Sequence, residues 1–181
     1  NGDKYTGDWL DDLQHGKGIY HFSSGDRYEG DYAAGERTGH GIYYHQNGDK
    51  YVGGFMNGEQ HGQGTFTWSN GAVYEGQWVN NVRNGKGHYI WANGDEYDGE
   101  WKNDMPDGEG VLTNADGSIY KGQFVKGKEE GKGVLVTKDG VRCEGTFKQG
   151  RKHGAFIETD KDGKLIRQGT YKFGMLDATQ K

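Results

Sequence analysis

A period of 23 residues runs through the chain and constrains its fold more than any other feature. Tyr recurs at this interval from Tyr5 to Tyr120, and Cys143 takes the next place in the series. Residues 5–165 contain no insertion or deletion, so they form seven units of equal length. Strict self-similarity of this kind indicates supersecondary units that stack on their neighbours, so the sequence predicts a repeat architecture.

Glycine occupies fixed places within the unit. The third, twelfth and twenty-first positions are Gly in all seven units, and the fourteenth is Gly in six, with Phe156 as the exception. The chain has 35 Gly but one Pro and 13% aromatic residues, which argues against a flexible linker or a collagen. Its longest apolar run is four residues, so neither a membrane span nor a signal peptide is predicted.

Each unit contains two turn signals and therefore two short strands. The eighth position is Asp, Asn or Gly, and the twenty-first Gly follows Ser, Asn or Asp. Pairing the first position with the sixteenth sets Trp9 opposite Gly16, Gly7 opposite Gly18 and Asp8 opposite Lys17. We expect successive hairpins to form an all-β fold, an elongated single-layer antiparallel meander of stacked 23-residue hairpin repeats.

Aromatic residues alternate along the strands and share one face of the predicted sheet. In a sheet of one layer this face lacks a second layer to bury it, so we expect an exposed apolar stripe that binds partner proteins. The residues predicted to form this partner-binding aromatic face are Trp9, Tyr32, Phe55, Trp68, Trp78, Trp91 and Trp101.

The third unit carries the motif that identifies the repeat. Residues 51–66 read YVGGFMNGEQHGQGTF, which resembles the MORN repeat pattern YxGxWxxGxxHGxGxY. Seven successive units of this kind cover nearly the whole chain, and the combination is far more specific than one short motif.

The resemblance implies a non-enzymatic scaffold, because MORN repeats serve in dimerisation, membrane association and partner docking. The chain looks most like the all-MORN-repeat cytoskeletal scaffold proteins of kinetoplastid and apicomplexan parasites. From these we expect an antiparallel homodimer formed by the C-terminal repeats, and cytoskeletal proteins or peptides as partners. We also expect a cytoplasmic, cytoskeleton-associated location near a membrane.

The repeat pattern divides the chain into three parts. Residues 1–4 repeat the tail of a unit, so we interpret them as the end of a truncated upstream repeat. Residues 166–181 are interpreted as a partial eighth repeat and a C-terminal cap, since Gly169, Tyr171 and Gly174 restore the spacing after a one-residue insertion. The seven MORN repeats between them are 5–27, 28–50, 51–73, 74–96, 97–119, 120–142 and 143–165.

The seventh repeat departs from the pattern. Cys143 replaces the Tyr, Phe156 replaces a Gly, and Glu158 replaces the closing aromatic residue, so we expect that this hairpin cannot pack as the others do. A pattern broken at the C-terminal end is where a two-fold contact would form. The predicted dimer interface comprises Cys143, Phe156, Tyr171 and Phe173.

Charge is unevenly distributed along the chain. Residues 1–117 contain 8 Lys or Arg and 19 Asp or Glu, so this part is acidic. Residues 118–174 contain 13 Lys or Arg and 7 Asp or Glu, so this part is basic. The basic end is either a solvated rim or a site for an anionic partner, and the alternative function is therefore a phosphoinositide-binding membrane adaptor. The negative total charge argues against nucleic acid. The predicted anionic-lipid patch comprises Lys126, Lys128, Lys132, Lys148, Arg151 and Lys152.

No catalytic constellation is visible in the sequence. His15, His61 and His153 share one repeat position, which favours a structural role at a turn over catalysis. Cys143 is a packed hydrophobic residue, an interchain contact or a metal ligand. A structural zinc ion would need Cys143 and His153 from two chains at a dimer two-fold, because these residues lie at opposite ends of one hairpin. Otherwise we expect no cofactor.

Overall fold

The computed structural model of the protein describes residues 2–177. Asn1 and residues 178–181 belong to the predicted upstream tail and C-terminal cap and lie outside the described residues. The chain divides into two compact units, Asn1–Ala92 and Asn93–Lys181. Both units are built from antiparallel strands that pair in chain order. Across residues 2–177, no helix is long and apolar enough to cross a membrane.

The first unit is an eight-stranded meander. Each strand of seven residues is followed by a strand of nine residues, and the two form one hairpin. Its strands are β1 (Lys4–Leu10), β2 (Leu13–His21), β3 (Arg27–Ala33), β4 (Glu36–Tyr44), β5 (Lys50–Met56), β6 (Glu59–Thr67), β7 (Val73–Val79) and β8 (Val82–Ile90).

The second unit continues the same alternation of strand lengths until its last hairpin. There the final strand has two residues and pairs only with Tyr171 and Lys172 of the strand before it. Its strands are β9 (Glu96–Lys102), β10 (Met105–Thr113), β11 (Ile119–Val125), β12 (Lys128–Val136), β13 (Arg142–Lys148), β14 (Arg151–Thr159), β15 (Leu165–Lys172) and β16 (Met175–Leu176).

The turns lie where the sequence predicts them. At each hairpin tip both the seventh and the eighth residues have positive φ; Asn80 and Asn81, for example, have φ of 50° and 66°. Positive φ at both central residues defines the type I′ turn, whose twist matches that of the strands it joins. Asn, Asp and Gly tolerate this conformation, which explains the composition of the eighth position.

The predicted register is correct for only part of each hairpin. Tyr5 and Gly7 pair with Tyr20 and Gly18 as expected, but a β-bulge follows Gly7 and shifts the register by two residues. Trp9 therefore pairs with Gln14, not with Gly16. The twelfth-position glycines form the bulge, and all have positive φ, from 57° to 115°. The bulge explains why this position is Gly in every repeat.

Side chains at the fourth position satisfy backbone groups that the bulge releases. Asp8 was predicted to lie opposite Lys17, but it pairs with His15, and its carboxylate accepts the backbone N–H of Lys17 at 3.1 Å. The Lys17 ammonium instead forms an ion pair with Asp31 of the next hairpin, at 2.5 Å. Equivalent bonds join Asp31 to His40, Gln77 to Lys86, and Glu100 to Glu109.

The tyrosine at the first position covers the glycines at the third and fourteenth. The Tyr51 ring lies over Gly64, where an added Cβ would come within 2.5 Å of Cε2 and Cζ of that ring. The ring also meets Phe55 of its own repeat and Trp78 of the next edge to face, at 5.2 and 5.4 Å. Repeated along each unit, these T-shaped contacts make a zigzag of aromatic rings that forms the core.

This zigzag corrects the expectation of an exposed apolar stripe for Tyr32, Phe55, Trp78 and Trp101. The rings at the first and fifth positions bury one another without a second layer, and from Tyr28 to Phe147 each is at most 6% exposed. Trp9 remains 58% exposed on β1. Single-layer stacking can bury these residues because the glycines let each ring lie directly on the backbone.

The seventh repeat packs differently from the others, as the sequence predicts, because one ring replaces another. Phe156 replaces the covered glycine and is 3% exposed, and its ring lies over Gly145 in the space a first-position tyrosine would fill. It meets Phe147 at 5.4 Å and Tyr171 at 5.3 Å. Cys143 leaves room for this ring because its side chain is small.

Candidate functional site

A continuous row of aromatic rings crosses the first unit beside the buried zigzag. It is formed by the sixteenth and eighteenth residues of the first four repeats. Rings of one repeat lie 4.5–4.6 Å apart, and rings of adjacent repeats lie 5.2–5.7 Å apart. We call it the aromatic ribbon, and it comprises Tyr20, Phe22, Tyr43, His45, Phe66, Trp68, Tyr89 and Trp91.

The ribbon differs from the zigzag because its rings are only half-buried. Neighbouring rings are tilted against one another by 38–50°, and each ring keeps part of its surface exposed to solvent. Among the described residues, the Nε2 atom of His45 is buried without a hydrogen-bond partner. The ribbon is confined to the first unit, because the equivalent positions of later repeats hold residues such as Leu112, Asn114, Leu135 and Thr137.

Hydrogen-bond donors border the ribbon on the side of the hairpin tips. They come from the tenth position of each repeat, which holds Gln14, Arg37, Gln60 and Arg83 in turn. The guanidinium carbons of Arg37 and Arg83 each lie 5.3 Å from a ribbon ring centroid, Tyr43 and Tyr89 respectively. This distance allows a cation–π attraction that holds each guanidinium over the rings.

Carboxylates border the ribbon on the opposite side. Asp26 accepts the Tyr43 hydroxyl at 2.9 Å and the backbone N–H of Gln46 at 2.8 Å. The bond from the Gln46 N–H is the main cause that holds the pKa of Asp26 below its ordinary value, so this group is ionised at neutral pH. Burial, together with the bond to Asp26, raises the pKa of Tyr43 to about 12.

The same carboxylate position recurs along the border. Asp3 accepts the N–H of Ser23 at 2.7 Å, and Asp49 accepts the N–H of Ser69 at 2.8 Å. These backbone bonds are the main cause that lowers the pKa of both carboxyl groups. Each aspartate belongs to one repeat and holds the loop of the next, so the row fixes the spacing of the ribbon as well as its charge.

A groove lies beside the ribbon at its first pair of rings, Tyr20 and Phe22. A depression of about 250 Å³ is lined there by ribbon rings and by the donor row. The Glu36 carboxylate also stands beside these donors, and the full lining is Gln14, Tyr20, Phe22, Tyr32, Gly35, Glu36, Arg37 and Gly58. Half-exposed rings with donors on one flank and carboxylates on the other can stack on flat or ring-bearing groups and bind polar backbone groups between them.

The structure separates the residues predicted for the partner-binding aromatic face. Trp68 and Trp91 belong to the ribbon, and Trp9 is exposed outside it, whereas Tyr32, Phe55, Trp78 and Trp101 are buried in the zigzag. Sequence reasoning missed the other six ribbon residues, the two arginines and the aspartate row. Recurrence of aromatic residues at the sixteenth and eighteenth positions, ending after the fourth repeat, was the signal that could have found them.

Three of the four residues predicted for the dimer interface are buried within their own chain. Cys143, Phe156 and Tyr171 are at most 8% exposed, while Phe173 is 39% exposed at the last hairpin tip. They therefore offer little surface to a second chain. The exposed apolar residues of this region are Ile157, Leu165, Ile166, Phe173, Met175 and Leu176.

A buried polar cluster lies where the seventh repeat departs from the pattern. Glu158 is 5% exposed and accepts hydrogen bonds from the Lys152 ammonium at 2.6 Å and the Tyr171 hydroxyl at 2.9 Å. Arg167 lies 3.3 Å from its other oxygen. Burial opposes ionisation of Glu158, but these bonds outweigh it and lower the pKa of the carboxyl.

The basic residues predicted for lipid binding do not all face solvent. Lys126, Lys128, Lys132, Lys148 and Arg151 are exposed. Lys152 differs, because its ammonium lies 2.6 Å from the buried Glu158 and 3.1 Å from the Cys143 sulfur. The anionic-lipid patch stays a prediction for the five exposed residues.

The residues predicted for a shared metal site have other contacts in the single chain. Cys143 lies against Lys152 and Glu158, and burial raises the pKa of its thiol. His153 accepts the backbone N–H of Phe173 at 3.4 Å. Residues 2–177 contain no group of three or more His, Cys, Asp or Glu arranged to hold a metal ion. A zinc ion between two chains stays a prediction.

The repeat, the fold and the buried zigzag together define the family. The MORN repeat model matches residues 5–27, 28–50, 51–73, 74–96, 97–119, 120–142 and 143–155. The chain therefore belongs to the MORN repeat family. No curated protein sequence gives a significant match.

Two solved structures to which the chain is similar are from Drosophila melanogaster and Danio rerio. One is the TCP domain of Drosophila melanogaster SAS-4 (dCPAP) in complex with a proline-rich motif of Ana2 (dSTIL), at 13% identity and a TM-score of 0.55. The match covers 86% of this chain and 84% of that one. Another is the TCP10 domain of Danio rerio CPAP, at 14% identity, a TM-score of 0.45, and coverage of 86% and 89%.

Proposed function

We propose that the protein is a non-enzymatic scaffold whose aromatic ribbon docks extended proline-rich segments of partner proteins. The observation that carries the proposal is the ribbon itself, a row of eight half-buried rings with donors along one border. Proline-rich segments adopt the polyproline II conformation and dock in grooves lined by aromatic side chains. Their carbonyl groups have no internal partners, so Gln and Arg side chains at the border can donate to them.

The likeness to a TCP domain in complex with a proline-rich motif supports the chemical class of the partner. Membership of the MORN repeat family supports the scaffold role. We further propose that the protein forms a homodimer and lies in the cytoplasm at a junction between membrane and cytoskeleton. Both of these points come from the family resemblance. The exposed apolar residues around Leu165 and Ile166 would form the dimer contact, because three of the four interface residues first expected are buried.

The experiment compares peptide binding by the wild type and by a variant that lacks two central rings. Phe66→Leu combined with Trp68→Thr places at the third repeat the residues that the sixth repeat carries at these positions, so the fold is expected to persist. Trp9→Thr is the matched control, since it removes an exposed Trp outside the ribbon.

A labelled oligoproline peptide is titrated with each protein, and fluorescence anisotropy is measured. We expect the wild type and Trp9→Thr to bind equally and the ribbon variant to bind at least about tenfold more weakly, because two of eight stacking rings are lost. Equal binding by all three proteins, or no binding by the wild type, would contradict the proposal.

A further inference from the structure

The ribbon has a regular period that limits which proline-rich segments fit it. Each repeat adds one pair of rings and two strands, so successive pairs lie about 9.6 Å apart. The four pairs are Tyr20 with Phe22, Tyr43 with His45, Phe66 with Trp68, and Tyr89 with Trp91. The ribbon is thus a set of four equivalent slots arranged along one line of the first unit.

A polyproline II helix has nearly the same period. It turns once every three residues and rises about 3.1 Å per residue, which gives about 9.3 Å per turn. Across the four slots the mismatch between peptide and ribbon accumulates to only about 1 Å. A segment that crosses the strands therefore presents every third residue to the next pair of rings without bending.

The two borders of the ribbon determine what the other two residues of each turn of the peptide contact. The donor row of Gln14, Arg37, Gln60 and Arg83 has one member per repeat, and it faces one side of the segment. Arg37 already donates to the carbonyl oxygen of Gly58 at 2.6 Å, but a guanidinium carries five donors. Peptide carbonyl groups on that side can accept from this row.

The opposite border is negative in three of the four slots. Asp3, Asp26 and Asp49 each lie beside one slot, and their pKa values are below the ordinary range, so they are ionised at neutral pH. Residues 1–92 contain 11 Asp or Glu and 7 Lys or Arg, and two of these seven cations lie over the rings. Charge complementarity therefore favours Lys or Arg at the peptide position that faces the aspartates.

We infer that the ribbon recognises a basic proline-rich segment in which Pro recurs every third residue and Lys or Arg fills one of the two intervening positions. One proline ring stacks in each slot, one residue per turn faces the donor row, and one cation per turn faces the aspartate row. The inference rests on the proposed function, which requires only that proline-rich segments bind the ribbon.

Three labelled synthetic peptides of equal length separate period, charge and simple proline content. The phased basic peptide repeats Pro-Ala-Lys four times, once for each slot. The block peptide has the same amino acids with its prolines contiguous, and the phased acidic peptide replaces each Lys by Glu. All three are titrated with the wild type, the Phe66→Leu and Trp68→Thr double variant, and the Asp26→Asn and Asp49→Asn double variant.

We expect the phased basic peptide to bind the wild type at least about tenfold more tightly than either other peptide. The aspartate variant should lose most of the preference for Lys over Glu while retaining the preference for phased over block. Because Asn can still accept the backbone N–H bonds of Ser69 and Gln46, this variant changes charge with little change of structure. Circular dichroism of each variant checks that it is folded.

The outcomes separate this inference from the proposed function. If block and phased basic peptides bind the wild type equally and both lose affinity in the ring variant, the period is wrong and the proposed function stands. If the phased acidic peptide binds as tightly as the basic one, the charge assignment is wrong. If no peptide binds the wild type, both the inference and the proposed function fail.

Discussion

The exchange of rings in the seventh repeat predicts that the same exchange can be built into the sixth. The perturbation combines Tyr120→Cys with Gly133→Phe, which reproduces the arrangement of Cys143 and Phe156. In the wild type Tyr120 is 1% exposed and covers Gly133, where an added Cβ would come within 2.6 Å of the ring. The neighbouring residue Leu135 is apolar, so no buried carboxylate interferes.

The magnitudes follow from what each single change removes or adds. Tyr120→Cys deletes a buried ring that meets Phe124 at 5.2 Å and Phe147 at 4.8 Å. Loss of such a ring costs about 3–5 kcal/mol of unfolding free energy. Gly133→Phe forces a second ring into filled space and costs at least about 1–3 kcal/mol. In the double variant the new ring fills the space left by the old one.

The expected result is a favourable coupling of about 2–3 kcal/mol between the two changes. Urea unfolding followed by circular dichroism gives the free energies of the wild type, both single variants and the double variant. Tyr120→Cys combined with Gly87→Phe serves as the control, because Gly87 lies under Tyr74 in the other unit, and its effects should add. The reasoning is refuted if the losses of the two single variants simply add in the double variant, so that no favourable coupling is measured.

Two further predictions concern the C-terminal repeats. Glu158→Gln should lower the unfolding free energy by about 1–3 kcal/mol at pH 7, since it weakens the bonds from Lys152 and Tyr171. Because the folded-state pKa of Glu158 is below its ordinary value of 4.5, its stabilisation is present above that pH and is lost as the pH falls through the folded pKa. Urea unfolding should therefore show a smaller difference from wild type at pH 3 than at pH 7, and an equal difference at both would contradict the assignment. The proposed homodimer predicts a solution mass near twice 20.1 kDa, measured by light scattering. The double variant Leu165→Asp with Ile166→Asp should halve that mass. The control Val125→Asp, which changes another exposed apolar residue, should leave it unchanged. A wild-type mass of 20.1 kDa at every concentration would refute the dimer.

Much of the fold was predictable because the repeat multiplies weak local signals. One Asn-Gly, Asp-Gly or Ser-Gly pair is a modest turn signal, but seven in register predict hairpins of fixed length. The β-bulge was not predictable from the same pattern. Gly16 and Gly18 look alike in sequence, yet Gly16 has φ of 62° and forms the bulge, whereas Gly18 lies under the Tyr5 ring.

The candidate site was predicted less completely than the fold. Trp68 and Trp91 were expected to bind partners, but Tyr32, Phe55, Trp78 and Trp101 were grouped with them because all seven share the aromatic alternation. Alternation assigns a residue to a face of the sheet and does not say whether its neighbours cover it. Only the packing between repeats separates the buried zigzag from the half-exposed ribbon.

The sequence by itself determined the length of the repeat, the number of hairpins and the residues that can turn, because glycine and asparagine at fixed intervals leave the backbone few alternatives. Tertiary structure decided which rings are buried. Tyr51 is fully buried because rings from its own repeat and the next meet over paired glycines, while Trp68 remains half-exposed beside them. Burial depends on contacts between residues more than twenty positions apart, and a repeat pattern records each position without recording those contacts.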